Sequence, residues 1–161
     1  PTITDVVCQL DRLQKMDYRT RDSREVKYLA FHHIGADADS HPYDVAVYHI
    51  EHNDWPGHGY HYQILKDGTI FQTNYLQTMC YNVAGRNHEV IGILINGKFL
   101  PFGENTPTKA QIKSANQLIK YLSSLLPNKV EVVGHKDIAL PSSPTTCPGN
   151  LMEYLEEEEQ V

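Results

Sequence analysis

Cysteine is scarce in this chain. Only Cys8, Cys80 and Cys147 occur in 161 residues. An odd number without close spacing argues against a disulfide framework. An isolated cysteine usually packs as a small buried hydrophobe, and that reading is kept for Cys8 and Cys80. Basic charge is short as well: 14 Lys and Arg against 20 Asp and Glu leave a net charge of −6. Without a basic stripe, nucleic acid is not an expected partner. Part of the acidic excess is a single run, Glu156 to Glu159, so the rest of the chain is close to balanced. Long apolar runs are missing too. No stretch approaches the ~20 residues a membrane-spanning helix needs, so membrane insertion is not expected. The opening Pro1-Thr2-Ile3-Thr4-Asp5 shows neither the basic flank nor the apolar segment of a secretory signal.

What is present suits a globular protein: 40% hydrophobic and 21% charged residues. The length fits one domain over 1–161 with one core. Thr4 to Met16 reads as a helix capped by Thr4. Lys27 to His33 reads as a strand apolar on both faces, as a central strand should be. Ser40 caps a helix over His41 to His52, with Tyr43, Ala46, Val47 and Ile50 as its stripe. His49 and His52 fall on the other side and read as solvated. Tyr60 to Leu65 and Ile70 to Gln72 flank Lys66-Asp67-Gly68-Thr69, an Asp-Gly hairpin turn. Asn74 to His88 is irregular and polar, suited to a groove wall.

Val90 to Ile95 is a continuous apolar run, hence a buried strand. Leu100 to Thr106 is a loop. Thr108 to Leu126 carries the strongest helical periodicity. Its start is ambiguous between Thr106 with Pro107 and a Thr108–Gln111 capping box. Val130 to Val133 is a strand, and a short helix starts near Leu151. The run Glu156 to Glu159 opposes that helix's dipole, so its end should fray. The class is α/β, a mixed central β-sheet flanked by helices.

The chemistry concentrates in the last third. His135 follows the Val130 strand, and Cys147 sits in a proline-rich loop. Zinc accepts imidazole nitrogen and thiolate sulfur, and catalytic sites commonly use three protein ligands. Nine histidines, several of them between His32 and His61, are a weak further hint. The third ligand is best sought in His32-His33. Alternation along the strand points these two to opposite faces, so at most one reaches a given metal. An all-structural reading of His135 and Cys147 fits poorly, because Pro141-Ser142-Ser143-Pro144 is poor core material.

Several motifs occur in order: Phe31-His32-His33, Gly59-Tyr60-His61-Tyr62, Lys66-Asp67-Gly68-Thr69, Ala84-Gly85-Arg86-Asn87, Val90-Ile91-Gly92-Ile93, Gly134-His135-Lys136-Asp137 and Thr145-Thr146-Cys147-Pro148-Gly149. Together, over roughly residues 20–152, they resemble the zinc-dependent N-acetylmuramoyl-L-alanine amidases of the amidase-2 type. That group spans phage endolysins, autolysins and peptidoglycan recognition proteins. The resemblance implies a Zn2+ site at the floor of a surface groove, with His32, His135 and Cys147 as ligands. It implies Tyr60 and Thr145 as catalytic groups, and His61, Asn82 and Asn87 as substrate contacts.

The activity implied is hydrolysis, by zinc-activated water, of the amide between N-acetylmuramic acid and L-alanine in cell-wall peptidoglycan. The expected enzyme is a monomer made in the cytoplasm and acting on the wall. Residues 1–19 would then be a helix and lead-in, and 153–161 an acidic tail or truncated linker. Two other readings stay open: a recognition module that binds peptidoglycan without cutting it, and a zinc peptidase that cuts within the stem peptide. The chain departs from relatives at three places. Leu94 stands where some carry a glutamate base, Asn82 where many carry a groove histidine, and Ile34-Gly35 where threonine or serine is usual.

Overall fold

The computed structural model describes the backbone of residues 1–100 and 106–159, and side chains up to Leu155 within those ranges. Six strands form one mixed sheet: β1 (Ile3–Asp5), β2 (Tyr28–His33), β3 (Tyr62–Ile64), β4 (Ile70–Gln72), β5 (Val90–Ile95) and β6 (Glu131–Gly134), in the order β1-β4-β3-β5-β2-β6. β3, β5, β2 and β6 run parallel to one another, and β3 and β4 form the antiparallel hairpin. Every residue of β5 is buried, and β2 is buried from Leu29 to His32. That explains why both strands read as unbroken apolar runs.

The two faces of the sheet are covered differently. Helix α2 (Lys109–Leu125) puts Leu118, Ile119 and Leu122 against Leu29, Phe31, Ile91, Ile93 and Ile95, and α4 (Leu151–Glu159) adds Leu151 and Leu155. The other face carries a smaller apolar group, Ala30, Val83, Val90, Val133 and Ile138, the last from the short helix α3 (His135–Ile138). Helix α1 (Pro42–Asn53) packs Ala46 with Val6, Leu10 and Phe71. α2 starts with a Thr108–Gln111 capping box, which resolves the ambiguity at its N-terminus.

The N-terminal helix expected over 4–16 does not form. Ile3–Asp5 pairs instead in parallel with Ile70–Gln72. The Asp5 carboxylate accepts from Val7 N at 2.9 Å, a local bond that competes with helix formation, and only a 3₁₀ turn follows at Val7–Gln9. At α1 the cap is His41, not Ser40: its Nδ1 accepts from Tyr43 N at 3.2 Å, and Pro42 takes the first helical position. The buried side of α1 is Pro42, Val45, Ala46 and His49, while the expected stripe residue Tyr43 is exposed. The loop expected over 100–106 falls largely on 101–105, outside the described residues, as do the side chains of the acidic run in α4.

Candidate functional site

The site is built where parallel strands end. β6 lies beside β2 with Gly134 opposite Phe31, so one further step sets His135 beside His32. Their rings lie 4.7 Å apart by centroid. The third member comes from the loop before α4. Lys136 N donates to Cys147 O at 2.7 Å, and Lys136 Nζ donates to Gly149 O at 2.8 Å, so the helix that begins with His135 also grips the cysteine loop. Gly134 could not carry a side chain here. A Cβ would come within 2.8 Å of Pro148 and 3.1 Å of Met152.

The result is a group of His32, His135 and Cys147 whose donor atoms all lie within 4.8 Å of one another. His32 turns Nδ1 toward Cys147 Sγ at 3.8 Å, and His33 N–H points at the same sulfur at 3.4 Å. Sequence reasoning allowed only one of the adjacent histidines near a metal. His32 is the one in the cluster, while His33 accepts from Phe99 N through Nδ1 at 3.1 Å. The donor set fits a metal: two imidazoles and one sulfur, converging from three separate segments.

The electrostatics agree with that fit. Burial lowers the pKa of His32 well below its usual value, with His135 adding to the effect, and burial lowers that of His135. Both rings are therefore neutral near pH 7, as metal ligands must be. Burial pushes the Cys147 thiol up to about 11, opposed by the His33 N–H and the Lys136 charge. A bound cation would reverse that preference and favour the thiolate.

Beside the cluster lies a cavity of about 520 Å³, lined by His33, Asp44, Tyr48, His49, Tyr60 and Leu94 among others. Tyr60 belongs to both places: it lines the cavity, and its ring packs edge-on to His32 at 4.7 Å. Its backbone is fixed on both sides. Tyr60 N donates to His58 Nδ1 at 3.1 Å, and Tyr60 O accepts from Thr73 Oγ1 at 2.6 Å and Asn74 Nδ2 at 2.8 Å. Burial raises the phenol's pKa, and Cys147 raises it further. At neutral pH Tyr60 is thus a hydrogen-bond donor and not a base. Thr145 sits at the cysteine loop, where its Oγ1 accepts from Cys147 N at 3.1 Å. The hydroxyl hydrogen is left to donate elsewhere.

Of the residues expected to touch substrate, His61 and Asn82 are buried and Asn87 is half-buried. His61 is fully buried. Its Nε2 donates to Thr78 O at 2.7 Å, and its Nδ1 accepts from Gly92 N at 3.0 Å. Both ring nitrogens are thus engaged by backbone groups of the fold. Asn87 Oδ1 accepts from Asn82 N and Val83 N, each at 2.9 Å, and so ties the loop together. Asn82 is buried, and its Nδ2 donates to Gly59 O at 3.2 Å.

His49, expected in solvent, is instead buried in the cavity wall, where Nδ1 accepts from Gly59 N at 2.9 Å. Burial, with His58 adding, lowers its pKa to about 3. The neutral ring then carries its proton on Nε2. The signal that could have placed it is the glycine-rich loop 57–59 just after α1, whose backbone needs partners.

Comparison with known proteins follows the same geometry. The chain is similar to the endolysin N-acetylmuramoyl-L-alanine amidase LysCS from Clostridium intestinale URNW, at 26% identity and a TM-score of 0.81, over 100% of this chain and 97% of that one. It is equally similar to the Ph2119 endolysin of the Thermus scotoductus MAT2119 bacteriophage, at 26% identity and a TM-score of 0.82, over 98% of both chains. Bumblebee PGRP-SA shares the fold at 20% identity and a TM-score of 0.80, over 97% of this chain and 94% of that one. No curated protein matches the sequence at a significant level. The model of one family spans residues 22–150, most of the chain, and by that match the protein belongs to the Amidase_2 family of N-acetylmuramoyl-L-alanine amidases.

Proposed function

We propose that this protein hydrolyses the amide between N-acetylmuramic acid and L-alanine in bacterial peptidoglycan, with zinc held by His32, His135 and Cys147. The observation that carries the reading is the convergence of two neutral imidazoles and one sulfur beside an open cavity that shares Tyr60 with them. Zinc bound there would act as a Lewis acid on the amide carbonyl and on water.

The chain's own residues supply the rest. His33 N–H and Lys136 favour the Cys147 thiolate, easing loss of its proton when the metal binds. Tyr60, protonated and fixed through its backbone, donates to the oxyanion that develops at the attacked carbonyl. Thr145 offers a second, neutral donor, which stabilises charge less than a lysine would. Leu94 is apolar and lines the cavity, so no carboxylate base acts from that strand position. His61 and Asn87 serve by holding the loops, and Asn82 by the contact argued below. No described helix is long and apolar enough to cross a membrane.

The test is a digest of purified peptidoglycan read by mass spectrometry. Stem peptides beginning with L-alanine should appear, vanish with a chelator and return with zinc. Zinc-dependent cuts inside the peptide would transfer the site to a peptidase, and binding without cleavage would make the protein a recognition module.

A further inference from the structure

Two buried polar atoms beside the metal cluster lack a hydrogen-bond partner: His32 Nε2 and Asn82 Oδ1. Unsatisfied buried groups are uncommon and call for a reason. The two belong to neighbouring parts of one sheet face. His32 pairs in register with Leu94, and Gly92 precedes Leu94 by one full pleat. The Asn82 amide lies directly on Gly92, where a Cβ would meet its atoms at 2.6 to 2.7 Å.

The orientation of Asn82 is set from behind. Its Nδ2 is committed to Gly59 O, so Oδ1 is the end left for the histidine. Its backbone N–H is fixed by Asn87 Oδ1, as is that of Val83. On the other side of the ring, Nδ1 is the nitrogen turned to Cys147 Sγ.

We propose that Asn82 is a positioning residue for the metal site: its Oδ1 accepts Nε2–H of His32, fixing the tautomer that presents Nδ1 to zinc. A ligating histidine needs such an acceptor on its second nitrogen, and losing one typically weakens metal binding 10–100-fold. This rests on the zinc reading above and gives the asparagine a task distinct from touching substrate.

The test measures zinc affinity of the apo-protein by competition with a chelating dye, for the parent, Asn82→Ala and Asn82→Asp. Aspartate keeps an acceptor but loses the donor to Gly59 O; alanine loses both. Weakening by roughly 10–100-fold in Asn82→Ala, with Asn82→Asp close to the parent, is the expected result. Equal weakening in both would assign the effect to the Gly59 carbonyl and overturn the proposal, as would unchanged affinity in both. A parent that binds no zinc overturns the proposed function and this inference together. Should the variants not fold, the ¹⁵N shifts of His32 in the zinc-loaded parent decide: Nε2–H is expected, and Nδ1–H overturns the assignment.

Discussion

The two faces of strand β2 do opposite work with alternate residues of one hexapeptide. Leu29 and Phe31 enter a large apolar core under α2 and α4. Tyr28, Ala30 and His32 face the other way, toward a small apolar group and then the His32–His135–Cys147 cluster. The first face is held by area, with many dispersed contacts of similar kind. The second is held by a few directed bonds, such as Lys136 to the Cys147 loop and His58 to Tyr60. Stability should therefore reside on one side of the sheet and chemistry on the other, and substitutions can test that division.

The largest effect belongs to the site face. Cys147→Ser should lose zinc and amidase activity together while the melting temperature of the apo-protein stays near the parent's. A collapse of the fold in that variant would break the division. On the opposite face, Leu118→Ala should cost about 2–5 kcal/mol in denaturant unfolding, as truncations in packed cores do. Its zinc-loaded folded fraction should keep full turnover. Tyr60→Phe comes next. It retains zinc and packing but removes the donor, so kcat should fall about 10²-fold; a fully active Tyr60→Phe enzyme would remove that role.

Two further effects sharpen the comparison. On the site face, buried neutral histidines dominate. Burial lowers His61 to about 3, with Arg21 adding, and lowers His58 to about 4, with the Gln63 bond opposing. Their folded values lie below the ~6.5 of an unfolded histidine, so the unfolded chain binds the extra protons. Stability should be complete above about pH 6.5 and fall as pH drops toward 4 and 3, by up to ~1.4 kcal/mol per pH unit for each ring. Urea midpoints measured from pH 7 to pH 4 check this, and a flat profile would mean the rings are not buried neutral. Finally, His49→Asn should keep an acceptor for Gly59 N–H while losing the Nε2–H that the ring carries. If that donor serves substrate in the cavity, KM should rise by about tenfold, and His49→Gln should restore part of it.

The apolar face was legible from the chain because helix and strand periods report burial directly. β5 was read over its observed span, and α2 was read with the correct cap among its two options. The His32–His135–Cys147 set came from the resemblance that the ordered motifs carry, and the structure brings those three donors together. The site face hid more. His49 reads as a solvated histidine in the sequence, and only its burial and its bond to the loop backbone show otherwise; the backbone bonds of His61 are equally invisible there. The N-terminus misled because Val7 and Leu10 have helical spacing, while the partner that draws Ile3–Asp5 into a strand is remote in sequence.

That first strand has a practical meaning. The family match begins at residue 22, yet the preceding stretch completes the sheet edge and braces the groove. Tyr18 Oη donates to Gly57 O at 2.9 Å, Arg12 Nη2 donates to Asn74 Oδ1 at 2.8 Å, and Arg21 Nε donates to Leu76 O at 3.1 Å. Asn74 in turn holds Tyr60. A fusion or graft cut at residue 22 would keep His32, His135 and Cys147 and still deliver a loosened tyrosine. A portable catalytic unit has to start at the first strand.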